Sequence, residues 1–368
     1  MFAAALLAVA QFEIAAKTFL IDEPVPVVVT GLPPNSNVTL RAHNDEWASK
    51  VDCSADANGV VTPPDPMRLF WSAERTSRTA SHPEDWTLTA EVDGKVVATT
   101  DIRRLAVAPD VKITHIRDRG LFGDLYEPAG EGKHPAVLVL GGSGGGLPPA
   151  SGAPGGLASR GYVVFSLAYF GEEGLPRALE YIPLEYFDKA VTWLMSQPSV
   201  DPTRVAILGT SRGGELALIL GSIMPRIKAV IAYVPSDVVY AGCCDRRGIP
   251  AWTIRGRALA LAPIQVENIH GAILLISGRD DGVWPSSRMS EEIVARLQRN
   301  HFAFPYKHLT YDHAGHGIGR PFTSTMEINA TRHPLTGRII RLGGTPEGTA
   351  RARADSWSQM LDFLTANL

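Results

Sequence analysis

The sequence predicts an α/β protein in which a doubly wound, mostly parallel sheet follows a small β-sandwich. Up to about residue 108 the chain consists of short runs rich in Val and Thr, with no convincing helix between them. From about Val111 onward, continuous apolar runs alternate with helical segments, which is the pattern of a parallel sheet. A length of 368 residues also favours two domains. We therefore predict a β-sandwich over residues 1–108 and an α/β domain over residues 109–368.

The first domain contains four runs that are typical of strands, each bounded by Gly, Pro, Asn or Asp. Asp93-Gly94 separates the last two runs and is a strong signal for a tight hairpin. Short strands with no intervening helix favour two packed sheets. The predicted strands are residues 25–32, 37–44, 86–94 and 95–105.

In the second domain the apolar runs are continuous, as expected for strands that are buried on both faces. A glycine-rich turn and a helical stretch follow the first run, "HPAVLVLGG". The stretch "LEYFDKAVTWLMSQ" has apolar residues at helical spacing, and an amphipathic helix closes the chain over residues 355–368. The predicted strands are residues 134–142, 161–169, 204–209, 227–234, 271–278 and 306–312.

Composition and charge exclude several classes of function. A net charge of −3 gives no basic face for nucleic acid, and no stretch approaches the length of a membrane span. Three cysteines are too few for a disulfide framework. Because no Cys/His cluster has zinc spacing, we expect no structural metal. The oligomeric state stays open.

The N-terminal segment, residues 1–10, allows two interpretations. Its apolar run ends Ala8-Val9-Ala10, which is similar to a signal-peptide cleavage site, but it is short and lacks a positive n-region. We expect an apolar tail and a cytoplasmic protein. A remnant of a signal peptide, with a periplasmic or secreted protein, is the alternative.

One short motif points to catalysis. Gly209-Thr210-Ser211-Arg212-Gly213 joins a predicted buried strand directly to a predicted helix. This G-x-S-x-G turn in that context is the signature of the nucleophile elbow of α/β-hydrolases. The two glycines leave room for a tight turn that raises the serine above the sheet. We therefore predict that Ser211 is a nucleophile.

A nucleophilic serine needs a base and an acid, which in this fold follow it in the order Asp or Glu, then His. Asp281 is the preferred acid because it lies three residues after a predicted strand end, and its neighbour Asp280 is the reserve candidate. His316, between two glycines in a loop, is the preferred base, with His313 as its competitor.

The developing oxyanion needs hydrogen-bond donors. One should be the backbone N–H of Arg212, the residue after the nucleophile. The other should come from the glycine-rich loop over residues 141–146, where we expect an N–H of Ser143 or Gly144 to serve. This loop lacks the Lys-Ser/Thr of a phosphate-binding P-loop.

Longer segments make the chain resemble the acyl-CoA thioesterase / bile acid-CoA:amino acid N-acyltransferase family. The similar segments are "DEPVPVVVTGLPPNSNVTLRA", "DPMRLFWS", "GGSGGGLPPASGAPGGLASRGYVVFSLAYFGEEGLP", "YIPLEYFDKAVTWL", "GTSRGGELAL" and "SGRDDGVWPS". The resemblance implies an immunoglobulin-like N-terminal domain, a C-terminal α/β-hydrolase catalytic domain and a triad of Ser211, Asp281 and His316. It also implies that members with serine at the nucleophile position hydrolyse acyl-CoA thioesters, whereas members with cysteine there transfer the acyl group to an amino acid.

We therefore expect a serine hydrolase that cleaves a small-molecule acyl thioester or a carboxylic ester through an acyl-enzyme. This serine-hydrolase hypothesis likewise predicts no cofactor. An exported protein would leave the compartment that holds acyl-CoA, and a simple ester would then be the better substrate. Two alternatives stay open: acyl transfer from the same intermediate to an amino acid, and a non-catalytic binding protein built on a hydrolase scaffold.

Overall fold

A computed structural model describes residues 9–77, 84–243, 248–259 and 261–368. Most of the candidate signal segment, and Cys244, lie outside these residues. The chain forms two compact units: one contains residues up to Ala106 together with Pro321–Glu327, and the other contains Val107–Arg320 and Ile328–Leu368. No helix among the described residues has both the length and the apolar character that a membrane crossing requires.

The first unit is rich in β structure. A six-stranded sheet has the order β2-β8-β7-β4-β5-β6, and the two-stranded sheet β1-β3 lies beside it with β1 against β8. Its elements are β1 (Gln11–Phe12), β2 (Thr18–Leu20), β3 (Val29–Thr30), β4 (Asn37–His43), β5 (Trp47–Ser54), α1 (Arg68–Trp71), β6 (Glu74–Arg75), β7 (Asp85–Val92) and β8 (Lys95–Leu105).

Three of the four predicted strands of this unit match β4, β7 and β8 closely. Asp93 and Gly94 join β7 to β8 with φ angles of 49° and 73°, the backbone of a two-residue hairpin turn. The run over residues 25–32 forms only the two-residue β3, because Pro26 has no N–H to donate to a ladder. Strand β5 was not predicted, since its polar residues carry little strand signal.

The segment Pro321–Glu327 belongs to the first unit although it is distant in sequence. Thr325 donates its backbone N–H to the carbonyl oxygen of Trp71 at 2.9 Å. Ser324 donates its hydroxyl to the carbonyl oxygen of Ala73 at 2.6 Å. The sequence did not indicate this return of the chain.

The second unit is built on an eight-stranded sheet of order β19-β18-β15-β14-β11-β12-β10-β9. Its elements are β9 (Lys112–Ile116), β10 (Phe122–Glu127), β11 (His134–Leu140), α2 (Ala153–Ala158), β12 (Val163–Ala168), β13 (Ile182–Pro183), α3 (Leu184–Met195), β14 (Val200–Thr210), α4 (Arg212–Ile223), β15 (Ala229–Tyr233), β16 (Trp252–Ile254), β17 (Arg257–Ala258), β18 (Ala272–Gly278), α5 (Ser286–Arg299), β19 (Tyr306–Tyr311), β20 (Thr331–Arg332), β21 (Ile339–Ile340) and α6 (Pro346–Asn367), with a short 3-10 turn at Val266–Asn268.

Helices cover both faces of this sheet, which confirms the predicted doubly wound α/β class. Strand residues alternate between two cores: Leu138 packs with apolar residues of α3, α4 and α5, whereas Val137 and Val139 pack with those of α2 and α6. In this sheet the neighbours in the series β12-β11-β14-β15-β18-β19 pair in parallel. Strand β10 pairs antiparallel with both β12 and β9. Burial on both faces explains why these strands are continuous apolar runs.

Two parts of this unit differ from the prediction. The antiparallel edge strands β9 and β10 were missed, because "KITHI" and "FGDLYE" mix polar and apolar residues. Helix α6 begins at Pro346 rather than at residue 355, where its apolar periodicity starts. Thr345 caps the true start by accepting the N–H of Gly348 on its side-chain oxygen at 3.0 Å.

Candidate active site

The G-x-S-x-G segment forms a sharp turn between β14 and α4. Ser211 has a φ of 58°, a left-handed conformation that is strained for a residue with a side chain. A Cβ at Gly209 would lie 1.9 Å from the carbonyl oxygen of Gly213, and a Cβ at Gly213 would lie 2.4 Å from that of Gly141. Both positions therefore require glycine, and Ser211 stands at the carboxyl edge of the parallel sheet, where such folds place their sites.

His316 connects Ser211 to Asp281. Its Nε2 lies 2.8 Å from Ser211 Oγ, and its Nδ1 lies 2.8 Å from Asp281 Oδ2. Its side chain is only 9% exposed, so the hydrogen bonds compete with little water. The structure thus brings together the three residues that the sequence singled out, each on a loop after a different parallel strand.

The Asp281 carboxylate is fully surrounded by donors. Oδ1 accepts the backbone N–H groups of Val283 at 2.9 Å and Trp284 at 3.2 Å. Oδ2 accepts the Ser286 hydroxyl at 2.6 Å as well as the His316 ring. With no exposed side-chain surface, the carboxylate is held in one orientation toward the imidazole.

The competing residues lie elsewhere. His313 Nδ1 is 3.6 Å from Asp280 Oδ2, too long for a hydrogen bond, and both side chains are largely exposed. His134 and His270 contact backbone carbonyl oxygens of Gly161 and Asn268. Among the described residues, the His316 ring bonds to Asp281 and Ser211 and to neither reserve candidate.

The predicted oxyanion donors belong to two segments, the start of α4 and the glycine-rich loop after β11. Arg212 is the first residue of α4, so its N–H has no intrahelical acceptor. On the facing loop, a Cβ at Gly142 would lie 3.2 Å from Ser211 Cβ, so the residue that directly precedes Ser143 and Gly144 approaches the nucleophile. Gly145 and Gly146 donate their N–H groups to carbonyl oxygens, at 3.4 and 2.9 Å, and so fix the loop.

The Arg212 side chain forms a buried ion pair that the sequence did not predict. Its Nη1 lies 3.2 Å from Glu215 Oε2, and Glu215 Oε1 accepts the Trp252 indole N–H at 2.8 Å. Burial raises the pKa of Glu215 to about 7, although the Arg212 charge and the Trp252 N–H favour the ionised form. The guanidinium also donates from Nη2 to the Tyr240 carbonyl oxygen at 3.1 Å, so the side chain of Arg212 is held by these buried contacts.

Glu215→Gln should change how stability depends on pH. Between the ordinary pKa of 4.5 and about 7, the native carboxyl binds a proton more tightly than the unfolded one does. The free energy of unfolding of the native protein therefore falls as pH rises through this range, by about 3 kcal/mol at ~1.4 kcal/mol per pKa unit. The glutamine variant lacks this component. Urea titrations at several pH values would show it, and parallel curves for the two proteins would contradict it.

A short segment that the sequence did not predict, Leu342–Gly344, binds both the Asp281 loop and the His316 loop. We call this segment the clasp. The Leu342 carbonyl oxygen accepts the N–H groups of His316 at 2.7 Å and Gly282 at 3.0 Å. Isolated bridges pair Asp281 with Gly343 and Ala314 with Gly344. Its only sequence signal is a Gly-Gly pair, which is typical of any turn.

Gly344→Ala should weaken the pairing of the clasp with the His316 loop. Gly344 has a φ of 69°, and a Cβ there would lie 2.4 Å from the backbone nitrogen of Gly315, next to His316. Gly256 is a matched control, because its φ is 72° but no atom lies within 4 Å of its Cβ position. Each alanine variant should have a free energy of unfolding about 1–2 kcal/mol lower, because its left-handed backbone is strained. In Gly344→Ala, overpacking should lower the free energy of unfolding by about 1–3 kcal/mol more. It should also lower kcat, because the clash lies next to His316. If Gly344→Ala and Gly256→Ala had equal free energies of unfolding and the native kcat, the clasp would have no role in holding the His316 loop.

Trp284 is a further neighbour of the imidazole. Its ring meets that of His316 edge to face at a centroid distance of 5.5 Å and stacks on Tyr240 at 5.6 Å. Its indole N–H donates to the carbonyl oxygen of Val234 at 3.0 Å, which fixes the ring. Among the described residues, no cluster of His, Cys, Asp and Glu could hold a metal ion.

Comparison with known proteins gives consistent matches along the chain. Residues 182–248 and 256–368 match the model described as BAAT / acyl-CoA thioester hydrolase C terminal. Residues 22–118 match the acyl-CoA thioester hydrolase/BAAT N-terminal region.

The similar proteins of known name include acyl-coenzyme A thioesterases. Acyl-coenzyme A thioesterase 1 of Rattus norvegicus is 29% identical over 399 aligned positions, covering 94% of each chain. The mitochondrial acyl-coenzyme A thioesterase 2 of Homo sapiens is 28% identical, covering 94% of this chain and 82% of its own. Among solved structures, a puromycin-hydrolyzing peptidase of Mycobacterium tuberculosis aligns at 15% identity and a TM-score of 0.49, over 94% of this chain and 52% of that one.

Proposed function

This chain belongs to the BAAT/acyl-CoA thioester hydrolase family, and from that premise we propose that it hydrolyses acyl-CoA thioesters with Ser211 as nucleophile. The family and its α/β fold make the chain a hydrolytic enzyme. The observation that carries the more detailed proposal is the unbroken series of hydrogen bonds from Asp281 through His316 to Ser211.

In the acylation step, His316 Nε2 takes the proton of Ser211 while Oγ forms a bond to the acyl carbonyl carbon. The carbonyl electron pair moves onto its oxygen, and the N–H groups of Arg212 and of the loop around Ser143 and Gly144 stabilise that oxyanion. Asp281 holds the imidazole and stabilises its charged form. The carbon–sulfur bond then breaks, and the leaving thiolate receives the proton from His316.

In the deacylation step, His316 takes a proton from water, which attacks the Ser211 ester. The ester bond breaks, Ser211 recovers its proton and the free acid leaves. The net reaction adds one water to one thioester and yields one carboxylic acid and one thiol. No cofactor is needed for either step.

The names of the relatives support a small-molecule acyl-CoA substrate. Serine as the nucleophile supports water as the acceptor, because an oxygen ester reacts less readily with amines than a thioester does. An acyl-CoA substrate also supports a cytoplasmic location. Acyl transfer to an amino acid and cleavage of simple esters are the outcomes that the experiment must separate.

The test is a substrate panel with product analysis. Acyl-CoAs and p-nitrophenyl esters of matched chain lengths are offered to the enzyme with and without millimolar glycine or taurine, and products are measured by mass spectrometry. We expect release of coenzyme A and free acid, a preference for acyl-CoA over the matched ester, and no effect of the amine. A dominant N-acyl amino acid would favour the transferase. Absence of turnover on every substrate would favour the binding protein.

A further inference from the structure

His333 is a buried histidine that the predicted mechanism does not use. It follows β20 directly, at the base of the loop that leads to β21, and is only 5% exposed. Its backbone N–H donates to the Arg338 carbonyl oxygen at 2.8 Å, which closes that loop. Its Nε2 lies 3.2 Å from Ser143 Oγ, across 190 positions of sequence.

The other ring nitrogen fixes the direction of this hydrogen bond. The backbone N–H of Thr336 donates to His333 Nδ1 at 3.3 Å, so Nδ1 must present its lone pair. A neutral imidazole then carries its proton on Nε2. His333 therefore donates to Ser143 Oγ, and the hydroxyl proton of Ser143 must point to a different acceptor.

Ser143 lies on the loop that approaches the nucleophile. Ser143 follows Gly142, whose Cβ position is 3.7 Å from Ser211 Oγ. No other side-chain hydrogen bond of Ser143 is formed within the part of the chain that the structure describes. Pro334, the residue after His333, also approaches the glycine-rich loop, since its ring lies 3.3 Å from the Cβ position of Gly144.

We propose that the Ser143 hydroxyl, and not only a backbone N–H of its loop, donates a hydrogen bond to the oxyanion, and that His333 is the positioning residue that aims it. This inference rests on the proposed function. The substrate atom concerned is the acyl carbonyl oxygen, which gains negative charge when Ser211 attacks. A hydroxyl that already accepts from an imidazole N–H is also a better donor, because linked hydrogen bonds polarise one another.

Ser143→Ala tests the proposal directly, because it removes the hydroxyl and keeps the backbone N–H. The loss of one oxyanion donor should lower kcat by about 10²–10³-fold with little change in KM. The probes are p-nitrophenyl butyrate and decanoyl-CoA. A trifluoromethyl ketone that forms a tetrahedral adduct with Ser211 should bind more weakly by a similar factor.

Variants of His333 distinguish a role in orienting the Ser143 hydroxyl from a role in the stability of the fold. His333→Ala should lower kcat in the native background but cause no further loss in the Ser143→Ala background. His333→Gln offers an amide N–H in place of the ring N–H and should restore part of the activity. A loss of equal size in both backgrounds would assign His333 a purely structural role and overturn its part of the proposal.

Ser199→Ala is the matched control for removal of a hydroxyl. Ser199 Oγ donates to Glu127 Oε1 at 2.8 Å just before β14, at the opposite edge of the sheet, so kcat should stay unchanged. A native-like kcat in Ser143→Ala, or a change in KM alone, would overturn the proposal. If the native enzyme turned over neither probe and a phosphonate failed to label Ser211, the proposed function itself would fail, which is a distinguishable result.

Discussion

Ser211→Ala is expected to lower kcat by about 10⁶-fold, because the triad residues act as a unit and the nucleophile begins both steps. The variant should fold normally, since alanine fits the same turn and carries the same left-handed strain. The Ser211 backbone N–H would still donate to the Tyr233 carbonyl oxygen, which lies 2.8 Å away. Hydrolysis of p-nitrophenyl butyrate and of decanoyl-CoA measures the loss, and urea unfolding checks the fold.

Covalent labelling gives an independent measure of the same assignment. A serine-directed phosphonate should modify Ser211 alone in the native protein, as peptide mass spectrometry would show, and should not modify the alanine variant. Ser222→Ala, at the other end of α4, removes a hydroxyl that donates to the Ile219 carbonyl oxygen and should leave kcat unchanged. Labelling of a different serine, or full activity of Ser211→Ala, would refute the assignment.

The fold was predictable where burial leaves a strong local pattern. Strand β11 is buried on both faces, so its apolar run could be recognised without knowledge of its neighbours. Strand β10 was missed because it pairs antiparallel with β9 near the sheet edge, and the polar residues Asp124 and Glu127 interrupt its short apolar sequence. The first turns of α6 were missed because Ala and Thr supply their buried positions without a clear apolar stripe.

The candidate site was predictable where chemistry is encoded over a few residues. The turn at Ser211 needs glycines at fixed positions, so the motif carried most of the information. Asp281 and His316 could be chosen because each follows a recognisable strand. Their catalytic roles stay predictions until the variants are measured.

Residues that support the site from a distance could not be predicted. His333 contacts Ser143 across 190 positions, and no spacing rule links them. Leu342 binds loops that follow two different strands, so its importance depends on tertiary pairing. Such contacts arise only when segments that are distant in sequence fold together.

Asp281→Asn should lower kcat by about 10⁴-fold, by analogy with the triad template. The backbone N–H groups of Val283 and Trp284 hold Oδ1, so the amide oxygen of asparagine should occupy that place. The amide NH₂ then faces His316 Nδ1 and forces it to accept a hydrogen bond. The imidazole proton moves to Nε2, which can no longer take the proton of Ser211.

The neighbouring residue supplies the control for this substitution. Asp280→Asn makes the same chemical change one position away, on a side chain that is 50% exposed and 3.6 Å from His313. Because it touches neither His316 nor Ser211, kcat should change less than about tenfold, as expected for a surface substitution away from the reacting groups. Both variants should be compared at several pH values with the same ester and thioester. A large loss for Asp280→Asn with little loss for Asp281→Asn would make Asp280 the residue that orients the histidine, because only the orienting carboxylate determines which ring nitrogen carries the proton.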